Sequence, residues 1–227
     1  MKSLAGILLL LTAVTGSSQS PGPTLPIRPG PPIYLRDVFS THIDPKPYAG
    51  IQGSPFVDEN WLLARILAAG RREAIDSIYI RINVHSGAVH FVNEEAQEMQ
   101  MALRIREIRI IDQSSPLYNT VYLSGFDQAN GFFEVVADGG KLKLLRRLRM
   151  FIWEYQPLGL EMQRRFEIQH DLYLCRNEYL FKPGRSCVAI AGAFGGSAKA
   201  LEYISTKNLR CDREEVLRDL VMRFGHE

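Results

Sequence analysis

Five histidines and three cysteines are among the side chains from which this 227-residue chain could build reactive chemistry, and their spacing limits what that chemistry could be. A catalytic triad can be assembled on paper from Ser54, His42 or His90, and Asp58. However, no Gly-x-Ser-x-Gly elbow frames a serine, and no local signature surrounds any cysteine. Metal binding needs several N, O or S ligands converging on one point. His85 and His90 sit on opposite arms of one expected hairpin, and His42-Ile43-Asp44 places two ligand types two residues apart, but neither set has a third ligand at a telling distance. The expectation is no metal and no cofactor. Gly192-Ala193-Phe194-Gly195-Gly196-Ser197-Ala198-Lys199 has the glycines of a phosphate-cradling loop, but Lys199 follows Ser197 where a P-loop lysine precedes its hydroxyl residue. The plainer reading is a bend from sheet to helix, with Ser197 as the helix cap.

The densest positive cluster is Lys141, Lys143, Arg146, Arg147 and Arg149. On a strand without a bulge, Lys141, Lys143, Arg147 and Arg149 share one face, and Phe151, Trp153 and Tyr155 continue it in the same parity. That face could bind a protein, peptide or glycan partner, or an anionic polymer. The competing reading puts the charges on a solvated outer face and the aromatics in the core. The cysteines are Cys175, Cys187 and Cys211, so at least one is left without an intramolecular partner. Cys175 and Cys187 lie on neighbouring expected strands and could bridge if their Cα atoms come within about 7 Å. The competing reading makes all three small buried hydrophobes.

The elements that would position these residues read mostly with a period of two. Ile78, Ile80, Ile82 and Val84 alternate with Tyr79, Arg81 and Asn83, and His85-Ser86-Gly87 turns the chain into Ala88 to Val92, so 78–92 reads as a hairpin. Met99, Met101, Leu103 and Ile105 share one face, and the parity then switches to Ile108 and Ile110, which implies a bulge or break around Glu107. The clearest hairpin joins Phe132–Val136 to Leu142–Leu145 across Asp138-Gly139-Gly140. Strands follow at 150–155, 166–169, 172–175 and 178–181, with Arg176-Asn177 as the last tight connection. After Gly195-Gly196 the period lengthens to that of helices. Asp212 with Glu215 reads as a capping box before Val216, Leu217, Leu220, Val221 and Phe224. Trp61 to Ala69 is ambiguous: its Leu and Ala content favours helix, whereas its place before a run of strands suits a first strand.

Residues 1–18 have the layout of a signal peptide, with Lys2, an apolar run from Leu4 to Val14, and small residues through Ser18. Residues 19–49 read as a proline-rich tether, 50–192 as a β-rich domain, and 193–227 as its helical tail. Removing the leader lowers the formal charge from +2 to +1, because Lys2 is its only charged side chain. Near-neutrality argues against a dedicated nucleic-acid binder. No later apolar stretch is long enough to span a bilayer as a helix. The localisation these features imply is export, to the periplasm or the exterior.

The order Gly53-Ser54-Pro55-Phe56, Asn60-Trp61, a strand series, Phe133-Glu134-Val135-Val136-Ala137-Asp138-Gly139 with Leu144-Leu145, Leu172-Tyr173-Leu174 and two closing helices resembles a widespread family of uncharacterised exported proteins of Bacteroidota. The resemblance covers about residues 50–225. It implies a β-rich body with 61–69 as a strand and lends no catalytic residue. The helix-like stretch at 62–69 and the long tether depart from it. The fold expected is α+β: a mainly antiparallel sheet of eight to ten strands, as a sandwich or partly closed barrel, with two C-terminal helices packed on it. The function expected is a non-catalytic exported binding or envelope-associated module. The alternative is a hydrolase whose site is assembled from residues distant in sequence.

Overall fold

The computed structural model describes residues 40–43, 48–93, 95–159 and 161–226; the expected leader and most of the expected tether lie outside them. Twelve strands form one sheet: β1 (Ser40–His42), β2 (Ile51–Gln52), β3 (Leu62–Ala68), β4 (Ile75–Asn83), β5 (Ala88–Val92), β6 (Glu98–Met101), β7 (Ile105–Ile110), β8 (Val121–Leu123), β9 (Phe133–Asp138), β10 (Leu142–Tyr155), β11 (Gln163–Arg176) and β12 (Tyr179–Phe181). A 3-10 helix (Cys187–Phe194) and the helices α1 (Ala198–Lys207) and α2 (Glu214–Phe224) follow. The strand order is β1-β6-β5-β4-β3-β7-β8-β9-β10-β11-β12, with β2 also beside β11. Among the described strands, only β2 runs parallel to its neighbour. The α+β class with helices on a mainly antiparallel sheet is as expected, and the sheet is not closed, since β1 and β12 end it without pairing to each other.

Leu62–Ala68 is a strand, because period two wins over helix propensity. Leu62, Ala64, Ile66 and Ala68 are buried, and the segment pairs with β4 on one side and β7 on the other. The parity switch after Ile105 is a bulge: Leu67 pairs with Glu107 and Ala68 with Ile105, so Arg106 is the extra residue. Ser40–His42, inside the expected tether, pairs with β6. The two strands expected at 150–155 and 166–169 are parts of 14-residue strands that pair in unbroken register from Leu142↔Arg176 to Tyr155↔Gln163.

Both faces of the sheet are covered around β10, which explains two consecutive buried leucines. Leu144 packs with Leu174, Ile190, Phe194, Ala200, Ile204, Leu217, Leu220 and Val221 beneath the helices. Leu145 faces the other way, into a smaller cluster with Phe133, Cys175 and Leu180. The largest cluster joins β3, β4, β5 and β7 through residues such as Ile66, Ile80, Phe91 and Ile108.

The β9–β10 turn receives the end of α2. The Gly225 carbonyl accepts amide hydrogen bonds from Lys141 (3.1 Å) and Leu142 (3.0 Å), and a Cβ on Gly139 would lie 2.4 Å from the Val221 carbonyl and 2.7 Å from the Gly225 Cα. The positive φ of the turn belongs to Gly140; Gly139 is there for close approach. At the other end of α2, Arg146 bridges Glu134 (3.1 Å) and both oxygens of Glu214 (2.7 and 2.8 Å). The expected capping box does not form: the residue before α2 is Arg213, with no side-chain cap, and Asp212 pairs with Arg210 at 2.6 Å. Ser197 does cap α1, accepting from the Ala200 amide.

The expected bridge between Cys175 and Cys187 is not made. Cys187 pairs with Cys211, Cα atoms 5.1 Å apart, and Cys175 is free and buried. Cys175 sits on β11 in the small cluster on the opposite side of the sheet from Cys187, whereas Ser186 and Arg210 form a β-bridge that brings Cys187 beside Cys211.

Candidate functional site

The basic and aromatic residues singled out above lie along β10, and the structure divides them. Among the described residues β9 covers β10 from Lys143 to Arg147, so from Arg149 onward β10 and β11 extend as a two-stranded arm, and the one further strand pairing with it there is β2, beside β11 at Arg164 and Arg165. In that arm Phe151 is 44% exposed and Trp153 53%, with Leu158 (105%), Met162 (59%) and Ile168 (48%) nearby. Five of the nine exposed large hydrophobic side chains among the described residues therefore fall between 151 and 168, where apolar surface is concentrated beyond what scattered exposure gives. The aromatics are not in the core, contrary to the plainer of the two expectations.

The cations on the same face are engaged. Arg147 donates to the Asn130 carbonyl (2.8 Å), and Arg149 pairs with Asp171 (2.7 Å) while lying 5.3 Å from the Phe151 ring centre. Lys143 pairs with Asp138, and Arg165 pairs with Glu167. Lys141 precedes β10 in the turn. No free positive stripe results, because β11 places Asp171 and Glu167 opposite Arg147 and Phe151. Sequence reasoning missed these acids, since their register across the hairpin is a long-range property. The other face of the arm is partly dressed: the Phe166 ring meets Tyr48 (5.5 Å) and His85 (5.6 Å), and His85 Nδ1 donates to the Met150 carbonyl (3.2 Å).

Lys141 and Lys143 line a separate hollow of about 780 Å³, together with Arg104, Arg106 and Cys175. The sheet coils enough that Arg106 on β7 reaches Glu178 in the β11–β12 turn at 3.4 Å, although those strands are four places apart. Burial pushes the Cys175 thiol up from its ordinary value, so it stays protonated and a poor nucleophile at neutral pH.

The residues of the paper triad go to separate tasks. Ser54 Oγ accepts from the Phe56 amide (3.3 Å), and Asp58 accepts from the amide and side chain of Asn60. The His42 side chain is outside the described set. His90 is buried, and its Nδ1 donates to Glu98 (2.7 Å). Glu98 also holds Arg81 (2.6 Å), whose guanidinium lies between the rings of Phe56 (4.2 Å) and Trp61 (4.4 Å). Burial alone would raise the Glu98 carboxyl, but hydrogen bonds from His90 and Arg81, with their charges, outweigh it and lower the pKa below 4.5. This cluster ties β4, β5 and β6 to the 56–61 segment. Among the described residues, no three His, Cys, Asp or Glu side chains converge as a metal site would require, and no helix is long and apolar enough to cross a membrane.

No family model, curated protein or solved structure matches this chain.

Proposed function

We propose that this protein is a non-catalytic exported binding module, associated with the cell envelope or released beyond it, that engages a protein partner through the β10–β11 arm. The observation that carries the reading is the concentration of exposed apolar side chains, Phe151, Trp153, Leu158, Met162 and Ile168, on a two-stranded projection. Aromatic residues flanked by paired charges suit a protein interface, where the aromatic anchors are desolvated and the ion pairs stay at the rim. A glycan or anionic polymer is less well served, since the arm's cations already have acidic partners. Export is supported by the leader-like sequence at 1–18, by the Cys187–Cys211 disulfide and by the resemblance to exported proteins of Bacteroidota, which is part of the same proposal.

A photo-crosslinking residue placed at Trp153, with a second placed at exposed Tyr179 off the arm, tests this in the cell of origin. A protein adduct from position 153 and none from 179 is expected. Absence of any adduct at 153, or turnover of ester, peptide or glycoside substrates by the purified protein, would sink it.

A further inference from the structure

We infer that the hollow lined by Arg104 and Cys175 binds a small, singly charged organic anion with an apolar body, of which a carboxylate on a hydrocarbon chain is the simplest member. The site is separate from the arm and stands or falls independently of it. Its lining comes from distant parts of the coiled sheet: Ala69 just after β3, Arg104 before β7, Leu123 on β8, Lys143 on β10 and Cys175 on β11. Its volume of about 780 Å³ lies within the range of small-molecule sites, roughly 300–1,000 Å³. The Arg106–Glu178 pair links two of these parts at 3.4 Å. Both side chains are mostly exposed, so the link is weak and exchanges readily for contacts to a ligand.

The charges select the head of the ligand. Arg106 pairs with Glu178, Lys143 with Asp138, and Glu107 with Arg109, and Lys141 is also engaged. Arg104 is the exception: among the described residues no acid pairs with it, and its Nε lies over Gly125, 3.9 Å from where a Cβ would stand. One unmatched positive charge calls for one negative charge, and a guanidinium offers a fork that a carboxylate meets with two parallel hydrogen bonds. In a concave site with apolar walls that charge is screened less than on open surface, which strengthens its pull on an anion. The remaining lining selects the body. Leu67, Ile105, Leu123 and Phe126 line the same hollow, and Leu123 and Phe126 continue into the small cluster around Phe133 and Leu145. Arg104 also lines a neighbouring hollow of about 300 Å³, whose other lining residues, Val89, Met101 and Phe132 among them, are all uncharged. The surface on either side of the guanidinium therefore suits hydrocarbon, whereas the further charges of a polyanion would go unmatched.

Isothermal titration calorimetry of the purified full chain with decanoate, kept below its micellar concentration, tests this beside decyltrimethylammonium and inorganic phosphate. A single saturable decanoate site is expected. The cation should show no saturable binding, and phosphate, a head without a body, should bind at least about tenfold more weakly. Arg104→Gln removes the charge-assisted pair and should weaken decanoate at least about tenfold. Ala69→Trp, at an exposed position of the lining, should abolish binding by filling the space and leave the circular dichroism unchanged. Lys207→Gln removes an equal charge from the last turn of α1 and should leave decanoate affinity as it was. Absence of a saturable decanoate site, equal affinity for the cation or for phosphate, or full affinity in Arg104→Gln overturns the inference. Full affinity in Ala69→Trp puts the decanoate outside the hollow and overturns it equally. None of these results bears on the arm, which the crosslinks from position 153 read separately.

Discussion

Replacing Cys187 and Cys211 together by alanine, Cys187→Ala and Cys211→Ala, opens a loop whose ends are 24 residues apart in sequence. Closing a loop of that length removes conformational freedom from the unfolded chain worth about 3.5 kcal/mol at 25 °C. α1 lies inside the loop, and both sulfurs are buried in the cluster that packs α1 and α2 on the sheet, so alanine adds the loss of two buried sulfur atoms to that figure. For a domain of this size each kcal/mol moves the melting temperature by roughly 2–4 °C, so a fall of about 7–14 °C is expected. Thermal unfolding followed by circular dichroism measures it, and thiol labelling checks the pairing behind it. The native protein should resist maleimide, the denatured unreduced protein should take one equivalent at Cys175, and reduction should expose three. A loss below about 1 kcal/mol would refute the loop-constraint reasoning. A disulfide-linked peptide containing Cys175 would refute the pairing itself.

Gly139→Ala should destabilise by about 3 kcal/mol or more, since its methyl would collide with backbone atoms of α2 that no rotamer can move, and denaturant unfolding reads this directly. Arg146→Ala should cost about 2 kcal/mol in the same assay by leaving Glu134 and Glu214 without their shared guanidinium. Glu98 has a lowered folded-state pKa, so its contribution is present above 4.5 and disappears as pH falls through the folded value. Melting temperatures between pH 6 and 3 should therefore drop more steeply for the wild type than for Glu98→Gln, and equal slopes would show the carboxylate contributes nothing.

Local patterns carried the hairpins 78–92 and 132–145, the Arg106 bulge and the Ser197 cap, because each depends on side chains within a few positions. What the sequence withheld depends on distant partners. Leu62–Ala68 has apolar residues at both helical and strand spacing, and only the strands on either side of it choose between them. Asp212 looked like a cap until Arg210 took its carboxylate. Cys187 found Cys211 because a β-bridge joins their neighbours. On the candidate site, the alignment of Arg147, Arg149, Phe151 and Trp153 was legible from parity. That the cations would be neutralised from β11 and the rings left bare was not, since it follows from a 14-residue cross-strand register.

The contact between Gly139 and Gly225 also orders events in time. At about 5–20 residues per second, the ribosome makes α2 roughly 4–17 s after the β9–β10 turn, whereas a hairpin zips in microseconds. Throughout that interval the amides of Lys141 and Leu142 have only water for company, and Leu142 and Leu144 lack their helical roof. A nascent chain of this sequence is thus most vulnerable to capture or to cleavage at the corner it completes last.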